Sequence, residues 1–179
     1  MMKIVLLTLA CIGLTHAVIT FESCMKKNTE PIGIVRHFNV TPDPPSFSKN
    51  VTVNVDVELF KDIPDNALVK TNIYKVTGIF GIPIPAPCIL GLGSCTVPYC
   101  KFLEQFKDQA CPFFPSGTPC DCPIKANKFT GQDVTIVPPN LGALIKFIAS
   151  GQFRIEFRLL EKETRKELMC YIFKGKALP

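Results

Sequence analysis

Cysteine is the residue type through which this chain can do most covalent chemistry. Of nine cysteines, one, Cys11, falls among the first 17 residues. Six others crowd between Cys88 and Cys122, and Cys24 and Cys170 stand far out on either side. Clustered thiols either ligate a metal or oxidise in pairs. Zinc sites favour paired ligands a few residues apart, yet only Cys120-x-Cys122 is close-spaced and no C-x-x-C occurs. Oxidation is the better reading, so no metal ligand is assigned. Eight cysteines can pair in on the order of a hundred ways, and spacing alone does not choose among them. A bridge from Cys24 to Cys170 would close a loop of nearly the whole domain, worth ~4 to 5 kcal/mol in the chain-entropy model.

Hydrolytic chemistry has few candidates. His37 is the one histidine beyond residue 17, and it is flanked by Arg36 and Phe38 with no nucleophile motif nearby. There is no G-x-S-x-G, no histidine pair and no phosphate-cradling glycine loop. Most Asp and Glu residues fall on polar strand faces, where solvation is their ordinary role. No catalytic residue and no cofactor is assigned, and binding outranks catalysis. An esterase, the remote alternative, would have to use His37 as its base.

Residues 1–17 read Met-Met-Lys, then an apolar run from Ile4 to Leu14, then Thr15-His16-Ala17. That order predicts a secretory signal cleaved after Ala17, leaving residues 18–179 as a single domain. The run is shorter than the roughly 20 residues a membrane span needs. Cleavage would remove Cys11 and leave an even set of cysteines, as an oxidising compartment favours. It would also remove Lys3, taking the formal charge from +5 to +4. This mild, interspersed excess fits a solvated surface with at most a weak preference for acidic membranes. Without a dense basic run or basic–aromatic interleaving, nucleic acid is not an expected partner.

The elements that must position these residues are mostly strands. Val51, Val53, Val55, Val57 and Leu59 alternate with polar residues, as do Phe153, Ile155, Phe157 and Leu159. Further strands are predicted over Ile32–Val40, Leu68–Val76, Lys128–Val137 and Lys166–Lys174. The fold class is therefore all-β, an antiparallel sandwich or cup. One short helix is predicted over Val97–Ala110, with Phe102, Leu103 and Phe106 on one side and Cys100 and Cys111 tying it down.

Apolar residues also occur where strands are not expected. Ile79, Phe80, Ile82 and Ile84 lie in a segment whose prolines forbid a helix or a central strand. Phe113 and Phe114 stand between Pro112 and Pro115, and Leu144, Ile145, Phe147 and Ile148 precede Gly151. Three such loops predict an apolar rim or cavity mouth that touches lipid or a membrane surface. Of two glycosylation sequons, Asn50-Val51-Thr52 is favoured over Asn39-Val40-Thr41, because Pro42 follows the latter.

With its cysteines and the motifs between them, the chain resembles the ganglioside activator family. The resemblance runs from Cys24 through Pro42-Asp43-Pro44, the Asn50 sequon, Pro87-Cys88, Gly93-Ser94-Cys95-Thr96 and Cys100. It continues in Pro119-Cys120-Asp121-Cys122-Pro123, Lys125, Val137-Pro138, Gly151-Gln-Phe-Arg-Ile-Glu156 and Cys170. It covers almost the whole mature chain. It implies a β-cup around a deep apolar cavity, with bridges Cys24–Cys170, Cys88–Cys95, Cys100–Cys122 and Cys111–Cys120. It also implies a non-enzymatic lysosomal cofactor that binds glycosphingolipid, touches membranes transiently and presents the sugar to beta-hexosaminidase. Loops around Phe80, Phe113 and Phe147 correspond to that family's apolar loops. Two departures bear on lipid and partner: there is no tryptophan where the family has it in the loops matching Phe80 and Phe147, and the segment before Cys88 is longer. A general secreted carrier of sterol, phospholipid or fatty acid, without an enzyme partner, is the alternative expectation.

Overall fold

The computed structural model describes residues 19–46, 48–78, 80–89, 91–138 and 150–178. The predicted signal segment with Cys11, and the predicted rim residues Ile79, Leu144, Ile145, Phe147 and Ile148, lie outside the described residues.

Nine strands form two antiparallel sheets: β1 (Thr20–Ser23), β2 (Gly33–Thr41), β3 (Val51–Leu59), β4 (Leu68–Thr77), β5 (Ile82–Pro85), β6 (Thr96–Pro98), β7 (Lys128–Ile136), β8 (Gly151–Leu160) and β9 (Glu167–Ala177). The larger sheet runs β1-β9-β8-β4-β5, with β6 also paired to β4, and the smaller runs β2-β3-β7. The fold is thus the expected all-β, two-layer arrangement. Alternation explains why β3 and β8 form: each presents an apolar row to the opposite sheet and a mostly polar row to the outside. Two irregularities keep that alternation in phase. A bulge at Val35/His37 in β2 and another opposite Val53/Val55 in β7 each insert residues without turning the next valine outward.

The proline-broken segment corrects the expectation that it holds no strand. Ile82–Pro85 pairs with the last residues of β4. Ala86 N–H donates to Ile73 O at 2.7 Å, which makes Lys75/Ile84 and Thr77/Ile82 the hydrogen-bonded pairs. Pro83 and Pro85 occupy the alternate positions, whose N–H would point away from β4. Both prolines therefore fit an edge strand and block the addition of another.

The single predicted helix is also corrected. Thr96–Pro98 instead pairs with β4 as β6, and helix begins only at α1 (Tyr99–Gln105). After a break at Phe106 the chain forms α2 (Lys107–Ala110) and a 3-10 turn (Cys111–Phe113). Ladder bonds to an exposed sheet edge won over helix propensity for Val97.

Candidate lipid-binding cup

Strand register decides which side chains face the space between the sheets. On the large sheet these are Val69, Thr71, Ile73 and Lys75 of β4, then Phe153, Ile155, Phe157 and Leu159 of β8, and Met169, Tyr171 and Phe173 of β9. The small sheet contributes Val51 to Leu59 at alternate positions, with Val35, Phe38 and Val40 on one side and Phe129, Gly131, Val134 and Ile136 on the other.

These facing rows do not bury evenly. At one end Val69 is 0% and Leu159 1% exposed, and Ile32, Leu59, Ile63, Phe129 and Met169 complete a packed floor. Farther along the same strands, Phe153, Ile155 and Phe157 and every inward valine of β3 are only half-buried. In a closed sandwich with sheets ~10 Å apart, central-strand residues would be shielded by the opposite layer. The sheets therefore part toward the ends at Thr41, Val51, Ile136, Gly151 and Thr77, leaving an apolar space above the floor.

The two sides of that space are sealed differently. Along β2 and β9 the sheets meet through aromatic rings: Phe38 lies 5.2 Å from Phe173 edge to face, and Phe21 lies 6.3 Å from each of them. Here the Tyr171 hydroxyl accepts the Val35 N–H. The opposite side is filled by α1, α2 and the 3-10 turn, pinned by Cys100–Cys122 and Cys111–Cys120. Cys88–Cys95 fastens the loop after β5, and Cys24–Cys170 joins the start of the chain to β9. These four pairs match the set implied by the resemblance.

The predicted contact residues divide into two groups. Phe80, at 84% exposed, with Ile82 and Ile84, projects at the parted end. Val137 and Leu178, which the sequence did not single out, are exposed at the same end. Phe113 and Phe114 are instead half-buried against β7. A methyl built on Gly131 would lie 2.4 Å from Phe113 Cδ1, and the Phe114 ring meets Phe129 at 4.9 Å. Both lie along the inner side of β7. Asn50 is exposed just before β3, and Asn39 is exposed within β2. His37 is exposed and pairs in register with Asp56, which directs it to the outer face.

Charge lies mainly on the outside. On the outer face of the large sheet, Glu156 contacts Arg154 at 2.6 Å and Arg158 at 3.4 Å, and Arg158 also pairs with Glu167. Burial raises the Glu156 pKa, but the Asn72 hydrogen bond and the two guanidinium groups together hold it below the usual value. A groove of about 960 Å³ beside this cluster is lined by residues such as Lys61, Lys70, Glu156 and Arg165. Its walls mix these charged groups with Ile32, Leu160 and Leu168.

Two sheets parted over an apolar floor, with cystine-fastened walls, define a lipid-recognition β-cup. The ML domain family model matches residues 18–177, and the chain belongs to that family of MD-2-related lipid-recognition domains. Among solved structures, chicken MD-1 complexed with lipid IVa is similar at 16% identity and TM-score 0.40, over 88% of each chain. No curated protein matches the chain.

Proposed function

We propose that this protein is a secreted or lysosomal, non-enzymatic carrier that extracts a glycolipid from a membrane, holds its acyl chains in the cup and presents the sugar to a glycosidase. The carrying observation is the row of half-buried apolar residues between the sheets, above a floor that is fully packed. Moving an 18-carbon chain from water into such a site gains ~14 kcal/mol at ~0.8 kcal/mol per CH2. Between a bilayer and a cup the methylenes exchange one apolar surrounding for another, so that term nearly cancels and transfer need not pass through water. Phe80, Ile82 and Ile84 would enter the membrane surface while the chains slide inward past Phe113 and Phe114. The segment holding Leu144, Ile145, Phe147 and Ile148 joins β7 to β8 and is assigned the same role. The cystine framework suits an oxidising compartment, and Asn50 is the proposed glycosylation site. The catalytic step would belong to a partner of the beta-hexosaminidase type.

The test is incubation of the purified protein with ganglioside vesicles, with and without beta-hexosaminidase, followed by native mass spectrometry. Co-purified or extracted lipid together with stimulated sugar release supports the full reading. Transfer without stimulation reduces it to a general carrier. A protein that stays empty overturns it.

A further inference from the structure

The groove beside Glu156 gathers the charge excess of the chain. It lies on the outer face where β4 begins, β8 ends and β9 begins, which places it at the closed end, opposite the mouth. Its carboxylates Glu156 and Glu167 are engaged by Arg154 and Arg158, and Asp62 is held by Lys125 at 2.9 Å. Lys26, Lys61, Lys70, Arg165 and Lys166 also line it, all exposed, and none of them forms an ion pair among the described residues. Against them stands Glu30 alone, so the unpaired lining charge is +4, equal to the whole formal excess of the chain beyond residue 17.

Two groups in the groove call for a ligand of mixed chemistry. Lys70 lies directly across the ladder from Arg158, and like charges so placed repel. Glu167 Oε2 is buried yet accepts no hydrogen bond, although Oε1 pairs with Arg158, and a buried acceptor is ordinarily met by a donor. A bare inorganic anion would answer the lysines and leave the Glu167 oxygen unmet. Ile32, Leu160 and Leu168 set apolar patches among the charged groups, which fit the C–H face of a sugar ring. The volume of about 960 Å³ stands at the upper end of the ~300 to 1,000 Å³ of small-molecule sites, far more than one ion fills. We infer that this groove binds an acidic saccharide. Its sulfate or carboxylate groups meet Lys61, Lys70 and Lys166 through charge-assisted hydrogen bonds, and a ring hydroxyl donates to Glu167 Oε2. Because the groove lies at the closed end, glycan binding neither needs nor blocks a lipid in the cup.

The experiment is fluorescence anisotropy of end-labelled octasaccharides of heparin, hyaluronan and maltose titrated with the intact protein at about 0.15 M salt, where distant surface charges are screened. At least one of the two acidic chains is expected to bind, at least tenfold more tightly than the neutral one, and the tighter of the two identifies sulfate or carboxylate as the preferred group. Lys61→Glu with Lys70→Glu should weaken that binding about tenfold or more, the worth of one charge-assisted hydrogen bond, and Lys166→Glu should weaken it in the same direction. Lys101→Glu with Lys176→Glu makes the same change in net charge outside the groove and should alter binding less than about threefold. Unlabelled tripolyphosphate should compete poorly, since it has no hydroxyl for Glu167. Equal binding of the neutral chain, an equal loss in the Lys101 and Lys176 pair, competition by tripolyphosphate as strong as by the saccharide, or no binding at all overturns the inference. None of these results touches the lipid-binding reading, which vesicle extraction tests separately.

Discussion

The Tyr171 hydroxyl accepts the backbone N–H of Val35 at 2.8 Å, tying the inner face of β9 to the edge of β2. β2 is the outer strand of its sheet, so this donor has no ladder partner on that side, and Tyr171 itself is buried. Tyr171→Phe keeps the ring packed against Phe21 but leaves the N–H unpaired. The expected loss is ~1 to 3 kcal/mol, read from urea unfolding, and unchanged stability would show that water replaces the hydroxyl.

Gly131 is the place where the inner wall admits the 3-10 turn. A Cβ there would meet Phe113 Cδ1 at 2.4 Å and Val134 Cγ2 at 2.7 Å. Gly131→Ala is therefore expected to cost ~1 to 3 kcal/mol through overpacking. Adding Phe113→Leu should return part of that loss, and a double-mutant cycle measures it. Purely additive effects would place Phe113 away from the wall.

Phe80 is exposed at the parted end and takes no part in the packed floor. Phe80→Asp should lower co-sedimentation with lipid vesicles while changing folding stability by less than about 0.5 kcal/mol. Leu159→Ala, in the floor, should do the opposite and cost ~2 to 5 kcal/mol. An unfolded Phe80→Asp protein would mean that this ring is core.

Glu156 links stability to acid. Its folded pKa lies below the usual 4.5 because Asn72, Arg154 and Arg158 together outweigh the effect of burial. A depressed carboxyl pKa stabilises the folded state fully above its unfolded value, and the contribution disappears as pH falls through the folded value. The stability gap between the native protein and Glu156→Gln should therefore be largest near neutrality and shrink below about pH 4.5. Denaturant titrations at neutral and acidic pH decide this, and a gap independent of pH would remove Glu156 from the linkage.

Much of the wall was legible because alternation is a local property. Val51–Leu59 forms a strand over the same residues that its pattern marks, and the rows ending in Leu159 and Val69 follow with small shifts of boundary. β1 escaped notice because it is four residues long and exists by pairing with β9. The helix was overextended because Val97 fits its apolar side as well as it fits β6.

The residue order by itself determined the apolar and polar rows, the even set of cysteines beyond residue 17 and the prolines that bar a further strand from β5. Each depends on neighbours along the chain. Only the tertiary structure decided that Cys24 meets Cys170 across 146 residues, that Phe113 and Phe114 turn inward while Phe80 stays out, and that the sheets close over Leu159 yet part beyond Ile155. Those outcomes depend on how far apart two sheets can stand once rings seal one side and helices fill the other. That spacing arises from packing between distant segments, and no local pattern encodes it.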